Sequence, residues 1–291
     1  YDAFMLEDDG RIEEKIYNEY MELGLRYPPT FTQVSTTEEA AAVLRSTVID
    51  LVICMPGNAD NDAFDVARDI KGKFPNIHCV VLTPFSHGIT KRMENEDLSI
   101  FDYVFCWLGN TNLILSIIKL IEDKMNLEHD IQEAGVQMIL LVEDSIRFYS
   151  SILPNLYNYI LEQSKNFSQE ALNRHAATMR MRGRPKVVLA RTYEEAQKLY
   201  DKYSDNTLGV ISDARFPLKS AAKAFGNEVM PEEKPKHRTD TFGREKCPDA
   251  GLQLFRYIRK NDPFVPLIIE SSESENRAKA EAEGFRFVDK N

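Results

Sequence analysis

The chain has 291 residues, of which 43% are hydrophobic and 28% are charged, so it is long enough to form about two domains with buried cores. Its net charge of -10 argues against a nucleic-acid backbone or an anionic membrane surface as the main partner. The four cysteines follow no metal-binding spacing, and neither a signal peptide nor an apolar run of about 18 residues is found. We therefore expect a cytoplasmic protein with free thiols, and a first residue other than Met fits either a fragment of a longer chain or a processed one.

Short apolar runs alternate with helical patterns along the chain, and the series occurs twice. In the first copy the runs lie near 3–7, 31–34, 49–54, 78–83 and 102–106, and in the second near 138–143, 186–190, 207–212, 266–271 and 285–289. Such self-similarity indicates a duplicated domain. Because the runs lack polar alternation and are separated by helices, they predict α/β domains with doubly wound, five-stranded parallel sheets.

Helix signals support this order and give the domain boundaries. The segments TTEEAAAVLRS (36–46) and TYEEAQKLYDKYS (192–204) each open on Thr followed by Glu, which predicts a helix N-terminus. A longer apolar periodicity begins at 112 and stops at Gly135, which predicts a helix that closes the first domain. We expect domains at 1–130 and 137–291.

The second copy is longer than the first because of two insertions. The segment 161–185 predicts a lengthened first helix followed by a solvated basic turn, RMRGRP (180–185). The segment 218–248 is rich in Lys, Glu and Pro and has little periodicity, which predicts a long loop. It follows Asp213 directly, so a lid, a docking segment and plain disorder all fit its position.

Acidic residues end two strands of the second copy, which would be neighbours in a doubly wound sheet. Glu143 and Asp144 follow the first strand, and Asp213 follows the third. Ligands bind at the carboxyl ends of such strands, and three adjacent carboxylates repel one another unless a cation such as Mg²⁺ lies between them. Ser271 and Lys290 end the fourth and fifth strands. Together these groups predict a site that holds a phosphoryl group on Asp213.

The second copy resembles the receiver domain of bacterial two-component response regulators. The resemblance is carried by LLVEDS, SDARFP, DAGLQL, PLIIES and FVDKN, and it covers all five predicted strands. It implies a flavodoxin-like domain without its last helix, phosphorylated on Asp213 by a sensor histidine kinase or a phosphotransfer protein. The backbone carbonyl of Arg215 would join Glu143, Asp144 and Asp213 as a ligand of Mg²⁺. Ser271 and Phe287 would change rotamer on phosphorylation.

The first copy departs from this pattern at the two positions that matter most for phosphorylation. It keeps Glu7, Asp8 and Thr83, but Met55 stands in place of the acceptor and Cys106 in place of the lysine. A thioether cannot accept a stable phosphoryl group, and a neutral thiol cannot offset its charge. The first copy is therefore interpreted as a degenerate pseudo-receiver, kept for binding or for contact with the second copy.

These features favour a signalling protein that catalyses only its own aspartyl phosphorylation and dephosphorylation. Two alternatives keep the same fold: a scaffold or interaction module that is never phosphorylated, and the N-terminal regulatory part of a larger enzyme. An α/β phosphohydrolase would place a second acid two residues after Asp213, where this chain has Arg215. No DNA-binding signature is found, so nucleic acid and membrane are not expected partners.

Overall fold

The computed structural model describes residues 11–22, 25, 27–55, 63–84, 98–109, 111–219, 239–240 and 244–290. The helices in this part of the chain are α1 (Arg11–Glu22), α2 (Thr37–Ser46), α3 (Ala63–Lys73), α4 (Asn112–Ala134), α5 (Ile146–Gln169), α6 (Arg174–Arg182), α7 (Tyr193–Tyr203), α8 (Ala250–Asn261) and α9 (Ser274–Ala282). The strands are β1 (Leu51–Cys54), β2 (His78–Pro84), β3 (Tyr103–Trp107), β4 (Met138–Val142), β5 (Lys186–Ala190), β6 (Thr207–Asp213), β7 (Phe216–Pro217), β8 (Lys246–Cys247), β9 (Leu267–Ser271) and β10 (Arg286–Asp289). None of these helices combines the length and apolarity that a membrane span requires.

The contacts divide the chain into two compact units. The first unit comprises 1–121 and 146–182, and the second comprises 122–145 and 183–291. The division falls inside α4 and returns α5 and α6 to the first unit, whereas the sequence places a single boundary near 130–137.

A five-stranded parallel sheet forms the centre of the second unit, in the order β10-β9-β6-β4-β5. All five apolar runs predicted in the second copy form strands of this sheet. Their apolar side chains, together with those of α7 and α8, build one continuous buried core. The order agrees with a flavodoxin-like sheet, in which the first and third strands of the domain are neighbours. The α/β class with parallel strands is therefore confirmed for this unit.

The described part of the first unit contains a three-stranded parallel sheet, β1-β2-β3. These strands follow one another in the same order as β6, β9 and β10, as the sequence repeat predicts. The predicted run at 3–7 lies outside the described residues. The prediction of a strand at 31–34 is wrong, because this segment has no regular structure and Val34 is exposed. Only two of the four residues at 31–34 are apolar, which is too weak a signal to predict a strand. The segment also has no neighbouring strand among the described residues.

The helix ends follow the predicted capping chemistry. The hydroxyl of Thr36 accepts a hydrogen bond from the backbone N–H of Glu39 in a reciprocal capping box, and the hydroxyl of Thr192 accepts one from the N–H of Glu195 at the start of α7. At the end of α4, Gly135 adopts a φ of +61° and its N–H bonds the carbonyl of Ile131 at 2.9 Å. This left-handed C-cap explains why the long helix stops there.

Helix α5 follows β4 in sequence but packs in the first unit, against β3. The hydroxyl of Tyr149 donates to the carbonyl of Val104, and the hydroxyl of Ser150 accepts from the backbone N–H of Cys106 at 3.0 Å. The rings of Tyr149 and Phe105 meet edge-on with centroids 5.3 Å apart. β3 lies at the edge of the described sheet, so one side of it has no strand partner among the described residues. Side chains of α5 form hydrogen bonds with its backbone there instead.

Candidate metal centre

Three carboxylates meet at the carboxyl edge of the sheet in the second unit. Glu143 and Asp144 follow β4, and Asp213 ends β6, which pairs with β4 in parallel register. One oxygen from each lies within 4.8 Å of the others. The apolar strands explain the arrangement, because parallel neighbours with aligned ends must deliver their terminal residues to the same edge. The structure therefore brings together the three acids predicted from the sequence.

Lys290, which follows β10, reaches the same cluster. Its ammonium nitrogen lies 2.9 Å from Asp213 Oδ1 and also forms a short ion pair with Glu143 Oε2. Its side chain is only 5% exposed, so the lysine is enclosed between the two carboxylates. The backbone N–H of Lys290 bonds the carbonyl of Ser271 at 3.2 Å, which fixes the residue at the end of the sheet.

The side chain of Asp144 is fully buried. Lys246 Nζ forms an ion pair with Asp144 Oδ2 at 2.6 Å. Asp144 Oδ1 accepts no hydrogen bond from the described residues. Burying a carboxylate is costly unless cations and hydrogen bonds compensate it, and an oxygen-rich cluster suits Mg²⁺. The residues present therefore fit a divalent cation held by Glu143, Asp144 and Asp213.

The burial of the cluster shifts the affinity of its members for protons. Burial raises the pKa of Asp144 to about 6, although the ammonium of Lys246 opposes the rise. Burial and the nearby Asp213 also raise the pKa of Glu143, and these effects outweigh its ion pair with Lys290. Burial alone would lower the pKa of Lys290, but Glu143 and Asp213 reverse this and raise it. Without a cation, Glu143 and Asp144 therefore hold protons more tightly than ordinary carboxyl groups do.

The raised pKa of Asp144 predicts a stability that falls as the pH rises. Its ordinary pKa of 3.8 applies in the unfolded chain, so the folded state binds the extra proton between that value and about 6. In EDTA, the free energy of unfolding of the wild type should fall relative to that of Asp144→Asn by up to about 3 kcal/mol between about pH 4 and pH 7. Urea unfolding at a series of pH values measures this difference.

A matched control is Asp50→Asn, which removes an exposed carboxyl group of the first unit. This variant should follow the wild-type pH dependence closely. A constant free-energy difference between wild type and Asp144→Asn across the pH range would contradict the shift assigned to Asp144.

The other predicted site residues have contacts of their own, Ser271 at the same edge and Phe287 within β10. The hydroxyl of Ser271 is buried and accepts hydrogen bonds from the N–H of Glu273 at 3.1 Å and from Asn276 Nδ2 at 2.9 Å. The side chain of Arg215 pairs with Glu273 at 3.0 Å. Phe287 is half-buried on β10, and the guanidinium of Arg277 lies 4.9 Å from its ring centroid. Metal binding by the Arg215 carbonyl and the switching of Ser271 and Phe287 stay predictions.

Gly251, at the start of α8, allows the helix to approach the backbone of Asp213. Its N–H bonds the carbonyl of Ala214 at 3.1 Å, and a Cβ atom at this position would clash with the carbonyl oxygen of Asp213. We predict that Gly251→Ala lowers the free energy of unfolding by about 2–3 kcal/mol, because the contact is with backbone and cannot relax by a side-chain rotation. Thermal or urea unfolding measures the loss.

The matched control for this substitution is Gly72→Ala near the end of α3, where an added Cβ meets nothing within 4 Å. There, alanine should leave the stability unchanged or raise it by up to about 1 kcal/mol. Equal stabilities of the two variants would refute the close approach at Gly251.

The structure describes three of the five residues predicted for the degenerate site of the first copy. Met55 directly follows β1, and Thr83 on β2 lies opposite Cys106 on β3 in the sheet. Burial raises the pKa of the Cys106 thiol to about 11, so this group is neutral at physiological pH. Glu7 and Asp8 lie outside the described residues.

Two features near the cluster were missed by sequence reasoning, and both belong to the second insertion. Lys246 lies on β8, which pairs with β7 in an antiparallel ribbon, and Asp240 forms a buried ion pair with Arg244 at 2.6 Å. The insertion was predicted as an irregular loop, yet its described end is structured beside Asp144. A lysine in an aperiodic segment rich in lysine gives no signal that singles it out.

No protein-family model matches the chain, and no curated protein is significantly similar to it. The geometry of the cluster therefore carries the functional argument.

Proposed function

We propose that the second unit is a receiver that accepts a phosphoryl group on Asp213 in a Mg²⁺-dependent reaction. The observation that carries the proposal is the ammonium of Lys290, which contacts Asp213 within a buried cluster of three carboxylates. A structural ion pair would need one acid for one lysine. A cluster with excess negative charge is instead suited to bind a cation and to react at one of its carboxylates.

The proposed reaction follows from the groups present. An oxygen of Asp213 forms a bond to phosphorus while the bond from phosphorus to the donor's histidine nitrogen breaks. The electron pair returns to the imidazole, which takes a proton from solvent. Lys290, already beside Asp213, offsets negative charge on the phosphoryl oxygens, and Mg²⁺ supplies further positive charge when bound. The hydroxyl of Ser271 can donate a hydrogen bond to a phosphoryl oxygen at the same edge.

Phosphorylation would act as a switch through charge. It adds about -1.5 to -2 units of charge and three strong acceptor oxygens beside Lys290 and Ser271. Rearrangement of these side chains and of Phe287 would then alter the surface offered to a partner. We propose a sensor histidine kinase or a phosphotransfer protein as the donor, and a pseudo-receiver role for the first copy. The free cysteines support a cytoplasmic setting for these partners.

A phosphohydrolase is the less favoured alternative. Its second acid would stand at position 215, and here the side chain of Arg215 pairs with Glu273 instead. A scaffold that is never phosphorylated is disfavoured by the fully buried carboxylate of Asp144, whose desolvation would lower stability without serving a site.

The proposal is tested by incubating the protein with Mg²⁺ and acetyl phosphate and measuring the intact mass. We expect the mass of one phosphoryl group, dependent on Mg²⁺ and removed by hydroxylamine as an acyl phosphate is. Steady hydrolysis of a generic phosphoester would favour the phosphohydrolase. An unmodified mass, together with no effect of beryllofluoride on unfolding temperature, would favour the scaffold.

A further inference from the structure

The second lysine at the cluster, Lys246, belongs to an antiparallel β-ribbon and not to an irregular loop. Lys246 lies on β8, where it is paired with Pro217, and the next residue, Cys247, is paired with the fully buried Phe216. On the other side of Lys246, Thr239 and Glu245 form an antiparallel bridge. Backbone pairing on both sides therefore fixes the position of Lys246, and its side chain contacts Asp144 from there.

A buried ion pair reinforces this arrangement. Arg244 donates from its backbone N–H and its Nε to the two oxygens of Asp240, at 2.7 and 2.6 Å. The backbone N–H of Asp240 in turn bonds the carbonyl of Arg244 at 2.9 Å. These bonds hold Asp240 and Arg244 together just before β8. Such charge-assisted bonds would fix the position of the side chain that the insertion contributes to the cluster, that of Lys246.

The charges of the cluster indicate what Lys246 does there. Lys246 Nζ lies 2.6 Å from Asp144 Oδ2, where it supplies positive charge to the acids. A divalent cation held by the same acids would supply that charge instead, so the two compete for Asp144. Lys246 is the lysine that a cation can displace more readily: among the described residues its side chain, 19% exposed, pairs with Asp144, whereas that of Lys290, 5% exposed, pairs with both Glu143 and Asp213.

We propose that Lys246 is an internal competitor for the divalent cation, occupying the cation's place beside Asp144 until the cation displaces it. This inference rests on the proposed function, because it takes the three acids as the cation's ligands. It adds a regulatory part to the site: the insertion of the second copy lowers the cation affinity, and cation binding releases the side chain of Lys246 to solvent. The held backbone of β8 keeps the released ammonium near the rim of the site.

The first experiment measures by titration calorimetry the affinity for Mn²⁺, which prefers the same oxygen ligands as Mg²⁺. We expect Lys246→Met to bind Mn²⁺ at least about tenfold more tightly than the wild type, because an adjacent positive charge is lost. Lys246→Arg keeps the charge and should bind like the wild type. Lys279→Met makes the same charge change at an exposed pair with Asp249, 3.0 Å away, and should change the affinity less than about twofold.

The second experiment uses the wild type alone, so it does not depend on a variant that folds. Lysine acetylation by a water-soluble ester is followed residue by residue by mass spectrometry, with and without saturating Mg²⁺. We expect the rate at Lys246 to rise several-fold with Mg²⁺, while Lys279 is unchanged. An unchanged or lower rate at Lys246 would overturn the proposal.

The outcomes separate this inference from the proposed function. Equal or weaker Mn²⁺ binding by Lys246→Met, in a wild type that binds Mn²⁺, would refute the competitor role and leave the cation site in place. Absence of binding in both proteins would refute the cation site itself, and the competitor role with it.

Discussion

Asp213→Asn is expected to abolish phosphoryl incorporation from acetyl phosphate completely. The amide group of asparagine cannot form the acyl phosphate. Asp213 is the carboxylate of the cluster that ends β6, and its Oδ1 lies beside the ammonium of Lys290. The variant should stay folded, because asparagine keeps the shape of the side chain and its oxygen can still accept the hydrogen bond from Lys290. Intact mass spectrometry and circular dichroism measure the two expectations on the same sample.

The matched control is Asp8→Asn, in the acid pair of the first copy, which should incorporate the phosphoryl group like the wild type. Lys290→Met should retain the acceptor but slow labelling strongly, since the charge that offsets the phosphoryl oxygens is lost. Labelling of Asp213→Asn at the wild-type rate would assign the reaction to another residue and refute the account of the site.

The second large effect concerns stability and lies away from the cluster. Asp123, on the part of α4 that belongs to the second unit, is fully buried and accepts two hydrogen bonds from Arg184, at 2.6 and 3.1 Å. It also accepts the backbone N–H of Val187 at 2.9 Å, which ties α4 to β5. Asp123→Ala should lower the free energy of unfolding by about 3–5 kcal/mol, because Arg184 would remain buried without its partner. Urea unfolding measures this loss.

Glu128→Ala provides the comparison on the same helix. Glu128 pairs with Lys202 at 3.0 Å, but both side chains are more than half exposed, so its removal should cost less than about 1 kcal/mol. If Asp123→Ala were as mild as Glu128→Ala, the buried pair would not hold α4 to the sheet.

The strands of the second unit and the gathering of its acids could be predicted from the sequence. Uninterrupted apolar runs identify buried parallel strands, and the ends of neighbouring parallel strands share an edge, so Glu143, Asp144 and Asp213 had to meet once the strand order was known. Lys290 follows from the same logic, because the last strand ends at the same edge.

The features that could not be predicted depend on partner choice rather than on local pattern. The apolar face of α5 indicates burial but does not say which sheet it covers, and α5 packs on β3 through Tyr149 and Ser150. Arg184, read as part of a solvated basic turn, is instead buried against Asp123. A charged side chain looks the same in sequence whether water or a distant carboxylate compensates it, which also explains why Lys246 was missed.

The most direct test of the central claim is a crystal structure of the protein grown with Mn²⁺ and beryllofluoride, with the cation located by its anomalous scattering. The account predicts one cation within coordination distance of Glu143, Asp144 and Asp213, and beryllofluoride bonded to Asp213 beside the ammonium of Lys290. An anomalous peak elsewhere, or a beryllofluoride group on a different residue, would contradict it.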